Sequence, residues 1–205
     1  MKHLLPLIIV WAVQFVAAPA GAVAVLGFDH ARPLDPQTVE VAATAAAGSG
    51  TWQIGASGRI GLLPDLDAAL RGGWVARDDE SGFEVEAGGR FRFLRAQDTG
   101  GVADLAGAAF GSVLKTGDVF LAGVDPQLLA SHHFAVSGPR TLHAAAAVGL
   151  ATTFIDVDGG AEDAQLGLLA AFSAGFDITA QIEIDIEVRH RDGDERLGLA
   201  LTLRL

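Results

Sequence analysis

Apolar and polar residues alternate along most of the chain after residue 36. The segments at 83–93, 182–189 and 197–205 show this period most clearly. In the first two, the positions between the apolar residues are mostly charged: Glu84, Glu86, Arg90, Arg92, Glu183, Asp185, Glu187 and Arg189. Because successive side chains of a β-strand point to opposite faces, each segment predicts a strand with one apolar face and one polar face.

Turn residues separate these segments at intervals that suit antiparallel hairpins. We predict ten strands, at about 37–48, 51–62, 66–77, 82–95, 103–115, 118–132, 140–155, 163–176, 181–191 and 195–205. Most of these segments are longer than the ~9–11 residues that a tilted strand needs to cross a bilayer. The pattern predicts an all-β fold: an up-and-down antiparallel transmembrane β-barrel of about ten strands, with eight strands as the alternative.

The predicted connections are of two alternating kinds. Strongly polar connections occur at 77–82, 115–118, 156–163 and 191–195, and less charged ones at 63–65, 137–139 and 177–179. This alternation is expected when odd turns lie on one side of a membrane and even turns on the other. The loop at 96–102 is an exception, because it is long and polar where a short turn is expected.

The N-terminus has the features of a secretory signal peptide. Lys2 and His3 precede an apolar stretch at 4–16, and small residues that suit cleavage follow. The apolar stretch is too short to anchor the chain in a bilayer. We therefore expect a cleaved signal peptide at 1–22, a periplasmic N-terminal segment at 23–36 and a β-barrel at 37–205.

Composition narrows the classes of function. The mean hydropathy is +0.37, yet no run of 18 apolar residues occurs beyond the N-terminus, which disfavours a helical membrane protein. The net charge is −11 and only two lysines are present, so clustered basic residues for nucleic-acid binding are missing. The chain has no cysteine and therefore neither disulfides nor thiolate metal sites.

A soluble lipocalin-like barrel would show the same alternation with its apolar face turned inward. Dense charges of mixed sign on the polar faces, many alanines and glycines on the apolar faces, and strand length favour the membrane barrel. Aromatic girdles at both interfaces are typical of such barrels. The chain lacks tyrosine, and a thin girdle is expected from Trp52, Trp74, Phe83, Phe93, Phe154 and Phe176.

The chain resembles the small outer-membrane β-barrel proteins of Gram-negative bacteria. The resemblance rests on the segment 31–36 leading into 39–41, the turn at 63–67, the amphipathic strand at 83–93 and the closing hairpin at 175–205. In that family the final strand usually ends in an aromatic residue read by the barrel-assembly machinery, whereas this chain ends in Leu205. The resemblance implies an outer-membrane location, with membrane lipid, lipopolysaccharide and the assembly machinery as partners.

Two groups of residues have the types needed for chemistry. The residue types of a hydrolase triad occur in Ser131, His132 and His133 with Asp125. However, the sequence has no G-x-S-x-G elbow. Adjacent histidines on a strand also point to opposite faces. The acidic loop with Asp156, Asp158, Glu162 and Asp163 is similar to part of a calcium loop without its full spacing. We prefer strand-end histidines and a solvated loop, with calcium bridging to lipopolysaccharide as the loop's hypothetical role.

The charged faces predict a polar lumen with two interpretations. The side chains would line a narrow pore, or they would pair across strands and fill the bore, as the small diameter of such barrels favours. We expect a non-enzymatic structural or surface-interaction protein without a cofactor, with the narrow pore as a variant. The alternatives are a barrel enzyme acting on lipid or peptide and a soluble periplasmic ligand-binding barrel. Acidic and histidine side chains that converge near the rim on adjacent strands would favour the enzyme.

Overall fold

The computed structural model of the protein describes residues 30–48, 50–77, 80–116, 119–137, 140–157, 163–191 and 193–205. Ten strands occupy most of these residues: β1 (Val39–Gly48), β2 (Thr51–Leu63), β3 (Leu66–Arg77), β4 (Glu80–Leu94), β5 (Asp104–Thr116), β6 (Val119–Ser137), β7 (Arg140–Val157), β8 (Asp163–Asp177), β9 (Ile182–Arg191) and β10 (Asp194–Arg204). Within the described ranges, no helix is long and apolar enough to cross a membrane.

The strands form one closed antiparallel barrel. Each strand pairs with its neighbours in the chain, and β1 closes the ring by pairing with β10. At this seam Ala43 lies opposite Leu201. The predicted ten-strand up-and-down barrel is confirmed, and the eight-strand alternative is wrong. Closure removes every free strand edge, so the backbone groups of the ladder are hydrogen-bonded within the barrel.

The predicted strand bounds agree with the structure to within a few residues except at β6. We expected this strand to end at about 132, but it continues to Ser137. His133 lies opposite His143, and Phe134 lies opposite Leu142, so pairing with β7 extends beyond the two adjacent histidines. In the sequence, the adjacent polar residues His132 and His133 resemble a strand end. In the structure only His133 faces the interior, so the alternation continues through them.

The outer wall of the barrel is apolar and the interior is charged. On β4, Val85 and Phe91 are 40% and 55% exposed, whereas Glu86 and Arg90 are each 2% exposed. The same contrast recurs on β9 and β10, where the apolar side chains are exposed. This is the reverse of a soluble ligand-binding barrel, whose apolar side chains point inward.

The interior has two chemically different halves. Along β5 to β8 it carries apolar and small residues, among them Phe110, Leu129 and Leu169, which form a buried cluster. The strands from β9 around to β4 carry most of the buried arginines and carboxylates. Arginine side chains extend from the charged half toward the half that carries apolar and small residues. The guanidinium of Arg71, for example, lies 4.2 Å from the centre of the Phe110 ring.

Both ends of the outer wall carry exposed aromatic side chains. Trp52, Trp74, Phe83, Phe120 and Phe154 lie toward one end, and Phe91, Phe93, Phe134 and Phe176 toward the other. We call the second end the terminal end, because β1 begins and β10 finishes there. The connections at 64–65, 95–103 and 178–181 lie at the terminal end, where β6 also ends and β7 begins, and β1, β3, β5, β7 and β9 end at the opposite end.

Candidate functional site

The segment before β1 enters the barrel at the terminal end. Residues 30–34, which we call the plug segment, contact side chains of the interior. The backbone N–H of Ala31 donates to Oγ of Ser131 at 3.0 Å, and that of Leu34 donates to Oδ2 of Asp67 at 3.2 Å. Because Ala31 is fully buried, this segment belongs to the interior of the barrel.

A cavity of about 370 Å³ opens beside the plug segment. Its wall combines plug residues with side chains of β1, β6, β7, β9 and β10, including His30, Glu40, His133, His143, Glu183 and Arg204. A smaller cavity of about 30 Å³ continues deeper and also contacts His30 and Glu183. The charged interior therefore has a polar recess at the terminal end, large enough for several water molecules or a small ligand.

Three imidazole rings meet at this recess. The centroid of the His30 ring lies 5.6 Å from that of His133 and 5.2 Å from that of His143. The rings of His133 and His143, on the facing strands β6 and β7, are 5.5 Å apart. One histidine comes from the plug segment and two from the barrel wall, so the cluster exists only when the plug segment is in place.

His143 is held by two carboxylates of β9. Its Nδ1 lies 2.8 Å from Oε1 of Glu183, and its Nε2 lies 3.0 Å from Oδ1 of Asp185. All three side chains are buried, and their ligand atoms are close enough together to hold a metal ion. Since β8 runs between β7 and β9, these groups meet only because Gly175 has no side chain between them.

The electrostatic surroundings set the protonation of His30. Burial, followed by the charges of Arg59 and Arg90, lowers the pKa of His30 well below its ordinary value. Arg59 approaches Nε2 of His30 only at 3.4 Å, and the Nδ1 atom is shielded without a hydrogen-bond partner among the described residues. At neutral pH this imidazole is therefore neutral and has a nitrogen available for a ligand.

Ion pairs occupy the rest of the lumen. Arg59 binds Glu40 at 2.8 Å, Arg191 binds Asp125 at 2.9 Å and Arg189 binds Glu187 at 2.9 Å. Further pairs join Arg71 to Glu86, Arg90 to Asp67, and Arg196 to Asp194. Buried charges of this kind are tolerated because each has an opposite partner. Most of these pairs join register neighbours on adjacent strands or residues two apart on one strand, and the Arg191–Asp125 pair crosses the interior from β9 to β6.

A separate ionic cluster fastens the loop 95–103, the exception to the short turns of the terminal end. Asp65, in the turn between β2 and β3, accepts hydrogen bonds from Arg95 at 2.7 Å and from Arg92 at 2.9 Å. These bonds lower the pKa of the Asp65 carboxyl. The backbone N–H of Ala96 donates to Asp104 at 3.0 Å, so both ends of the loop are fixed.

The structure places the charged residues singled out from the alternation as follows. Glu84, Glu86, Arg90, Glu183, Asp185, Glu187 and Arg189 are buried in the interior, and Arg92 lies at the terminal rim, where it contacts Asp65 and Asp104. Glu183 and Asp185 join the histidine cluster. Glu86, Arg90, Glu187 and Arg189 belong to the ion-pair network along the lumen, and Glu84 lines a small cavity together with Arg191.

The residues with triad chemistry are not assembled. Asp125 pairs with Arg191, and Ser131 accepts the N–H of Ala31. His133 faces the histidine cluster, whereas the ring of His132 packs against Phe134, so the adjacent histidines do point to opposite faces.

The predicted calcium loop lies outside the described part of the chain. Its central acidic residues, Asp158 and Glu162, are in the range 158–162, and the side chains of Asp156 and Asp163 at its edges are likewise outside it. The calcium hypothesis therefore stays a prediction.

Sequence reasoning missed three members of the cluster: His30, His143 and Gly175. One signal for His143 was present, because a hairpin turn at 138 places positions 133 and 143 opposite each other. The criterion for an enzyme is met in part: acidic and histidine side chains converge near the rim, but from β7 and β9, which are not adjacent.

Comparison with known proteins gives likenesses of fold. The sequence matches no family model and no curated protein. The barrel domain of Pseudomonas aeruginosa OprF is similar at 15% identity and a TM-score of 0.39, covering 84% of this chain and 100% of that chain. The KdgM porin is similar at 10% identity and a TM-score of 0.42, covering 80% of this chain and 98% of that chain. The Acinetobacter baumannii outer membrane protein Omp33 is similar at 8% identity and a TM-score of 0.37, covering 82% of this chain and 98% of that chain. The ten-strand architecture itself follows from the strand pairing.

Proposed function

We propose that the chain is an outer-membrane barrel protein with a structural or surface-interaction role and a lumen closed to diffusion. The observation that supports it is the contrast between the two faces of each strand. Ile184 and Leu201 are 37% and 52% exposed on the outer wall, while Asp185 is 5% exposed inside. Exposed apolar surface that surrounds a whole barrel is unfavourable in water and favourable in hydrocarbon.

The plug segment and the ion pairs support a closed lumen over the narrow-pore variant. The plug segment occupies the terminal end. Toward the other end, a cavity of only about 10 Å³ lies beside Glu84 and Arg191. A conducting pore needs a continuous water path, and the Arg191–Asp125 pair crosses this path from β9 to β6.

The same geometry supports a non-enzymatic role over the barrel enzyme. Both ring nitrogens of His143 contact carboxylates, so this imidazole has no free nitrogen with which to accept a substrate proton. The hydroxyl of Ser131 faces the backbone of the plug segment. His143 and Ser131 are therefore both engaged in contacts that hold the barrel and its plug segment.

The orientation that we propose puts the terminal end in the periplasm. An even number of strands puts both termini on one side, as in outer-membrane barrels, and in this orientation the connections that are strongly polar in the sequence face outward. Export by the N-terminal signal, insertion by the barrel-assembly machinery and contact with lipopolysaccharide belong to this proposal.

Fractionation and single-channel recording test the proposed function together. The full chain should sediment with outer membranes and need detergent for release; recovery in the aqueous phase without detergent would contradict the membrane location. After reconstitution in planar bilayers, we expect no large stable conductance steps. Such steps at neutral pH would refute the closed lumen while leaving the membrane location intact.

A further inference from the structure

We propose that the terminal recess is a transition-metal site, in which His30, His133, His143 and Glu183 bind one Zn²⁺ ion. Imidazole nitrogens and a carboxylate oxygen are the ligand types that zinc accepts in a four-coordinate site. The inference does not depend on where the barrel resides, since it concerns only its interior.

The spacing of the three rings matches a tetrahedral metal centre. With a Zn–N distance of about 2.0–2.1 Å and tetrahedral angles, the centroids of ligating imidazoles lie about 5.2 Å apart. The observed separations among His30, His133 and His143 are 5.2, 5.5 and 5.6 Å. The ligand atoms that already lie close together are those of His143, Glu183 and Asp185, so the rings of His30 and His133 must each turn a nitrogen toward the ion as it binds.

Two ring nitrogens without a hydrogen-bond partner also support a metal site in the recess. The Nδ1 atoms of His30 and His133 are shielded from solvent and have no hydrogen-bond partner among the described residues. Buried polar atoms without a partner are costly, so such atoms usually have a bound water or ion.

The carboxylates provide the remaining ligand and its support. Oε1 of Glu183 lies beside Nδ1 of His143, and Oε2 of Glu183 is held by Arg204 at 3.2 Å. Asp185 accepts from Nε2 of His143, which is the carboxylate–histidine–metal arrangement that orients a ligating ring. Glu183 is thus placed as a ligand, and Asp185 as a positioning residue that leaves Nδ1 of His143 directed at the metal.

In the structure without metal, the two carboxylates hold a proton on each nitrogen of His143. Zinc would take the place of the Nδ1 proton between His143 and Glu183, and that proton would leave to solvent. Since the plug segment supplies His30, metal binding would also fasten the plug segment to β6 and β7.

The test uses the full, tag-free chain folded in detergent micelles, titrated with Zn²⁺ alone by calorimetry. We expect one site, and a loss of at least about a hundredfold in affinity for His133→Gln. The matched control is His132→Gln, one residue away on the outer wall, which should bind Zn²⁺ as the unaltered chain does. Asp185→Asn should weaken binding by about 10- to 100-fold, as expected for a group that orients a ligand.

A second readout reports the geometry. Co²⁺ bound in place of Zn²⁺ should give the intense visible absorption of a four-coordinate ion, which His133→Gln removes. If His133→Gln does not fold, His30→Gln outside the strands serves the same purpose. Equal binding by the His132 and His133 variants, or a weak six-coordinate cobalt spectrum, would overturn the proposal without affecting the proposed function.

Discussion

His143 on β7 and Asp185 on β9 are in contact across the glycine that separates them on β8. Nε2 of His143 lies 3.0 Å from Oδ1 of Asp185, and Gly175 is the register partner of both residues. A Cβ atom at position 175 would lie 2.1 Å from Oδ1 of Asp185 and 2.2 Å from Cε1 of His143. The histidine–carboxylate cluster therefore depends on the absence of a side chain at this position.

Replacing this glycine should break the cluster. In Gly175→Ala, the added methyl group must displace His143 or Asp185 and leave buried charged groups without a partner. We expect the free energy of unfolding to fall by about 1–3 kcal/mol, measured by urea denaturation in detergent micelles. Gly107→Ala on β5 is the control, because no atom lies within 4 Å of its added Cβ. An equal loss in both variants would contradict the role of Gly175.

The ion pairs of the lumen should contribute much more to the free energy of unfolding than those of the rim. Arg90→Ala removes the closest ionic partner of the buried Asp67 carboxylate and leaves Arg59 at 3.9 Å, and we expect a loss of about 3 kcal/mol or more in unfolding free energy. Arg95→Ala also removes an aspartate partner, but this pair is exposed at the rim, so little change is expected. Comparable losses would show that the interior is hydrated well enough to screen its charges.

A charge placed on the outer wall should lower the free energy of unfolding more at the middle of a strand than near its end. Leu199→Arg on β10 places a guanidinium near the middle of the strand, where we expect a loss of about 2–4 kcal/mol in unfolding free energy in lipid vesicles. Leu203→Arg lies near the terminal end, where the loss should be about 0–1 kcal/mol. Both leucines are half exposed on the same face, so the difference reports depth in hydrocarbon. Two small, equal effects would instead indicate water around the wall.

The loop 95–103 should loosen in acid. Because Arg95 and Arg92 lower the pKa of Asp65, the carboxylate contributes stability above its ordinary pKa of about 4, and this contribution is lost as the pH falls through the lowered value. Asp98 and Asp104 also face the two arginines. We expect the amide NMR signals of Ala96 and Thr99 to shift below pH 4, and Asp65→Asn to show the loosened loop already at pH 6. An unchanged loop in that variant at pH 6 would exclude this role.

The barrel could be predicted from the sequence because apolar and polar residues alternate along each strand of its wall. Alternation along a strand is a local property, and segments such as 83–93 and 182–189 show it without help from distant residues. The end of β6 was misjudged for the same reason. His132 and His133 are both polar, and only the register with β7 shows that one of them continues the inward face.

The histidine cluster could not be predicted in the same way. It joins residues far apart in the chain, His30, His133, His143 and Glu183, whose heights along the barrel depend on strand tilt and stagger. The hairpin symmetry that pairs His133 with His143 can be found from the sequence, but the return of the plug segment into the lumen cannot. That return depends on contacts such as Ala31 with Ser131, a hundred residues apart.

Tryptophan quenching tests most directly whether the apolar outer wall meets hydrocarbon. Trp52 and Trp74 are 49% and 46% exposed on this wall, and Trp11→Phe leaves them as the only tryptophans in the chain. After folding into vesicles, brominated acyl chains should quench this fluorescence strongly relative to unbrominated vesicles of the same headgroup. A folded barrel whose fluorescence is equal in both kinds of vesicle would contradict the membrane-embedded wall.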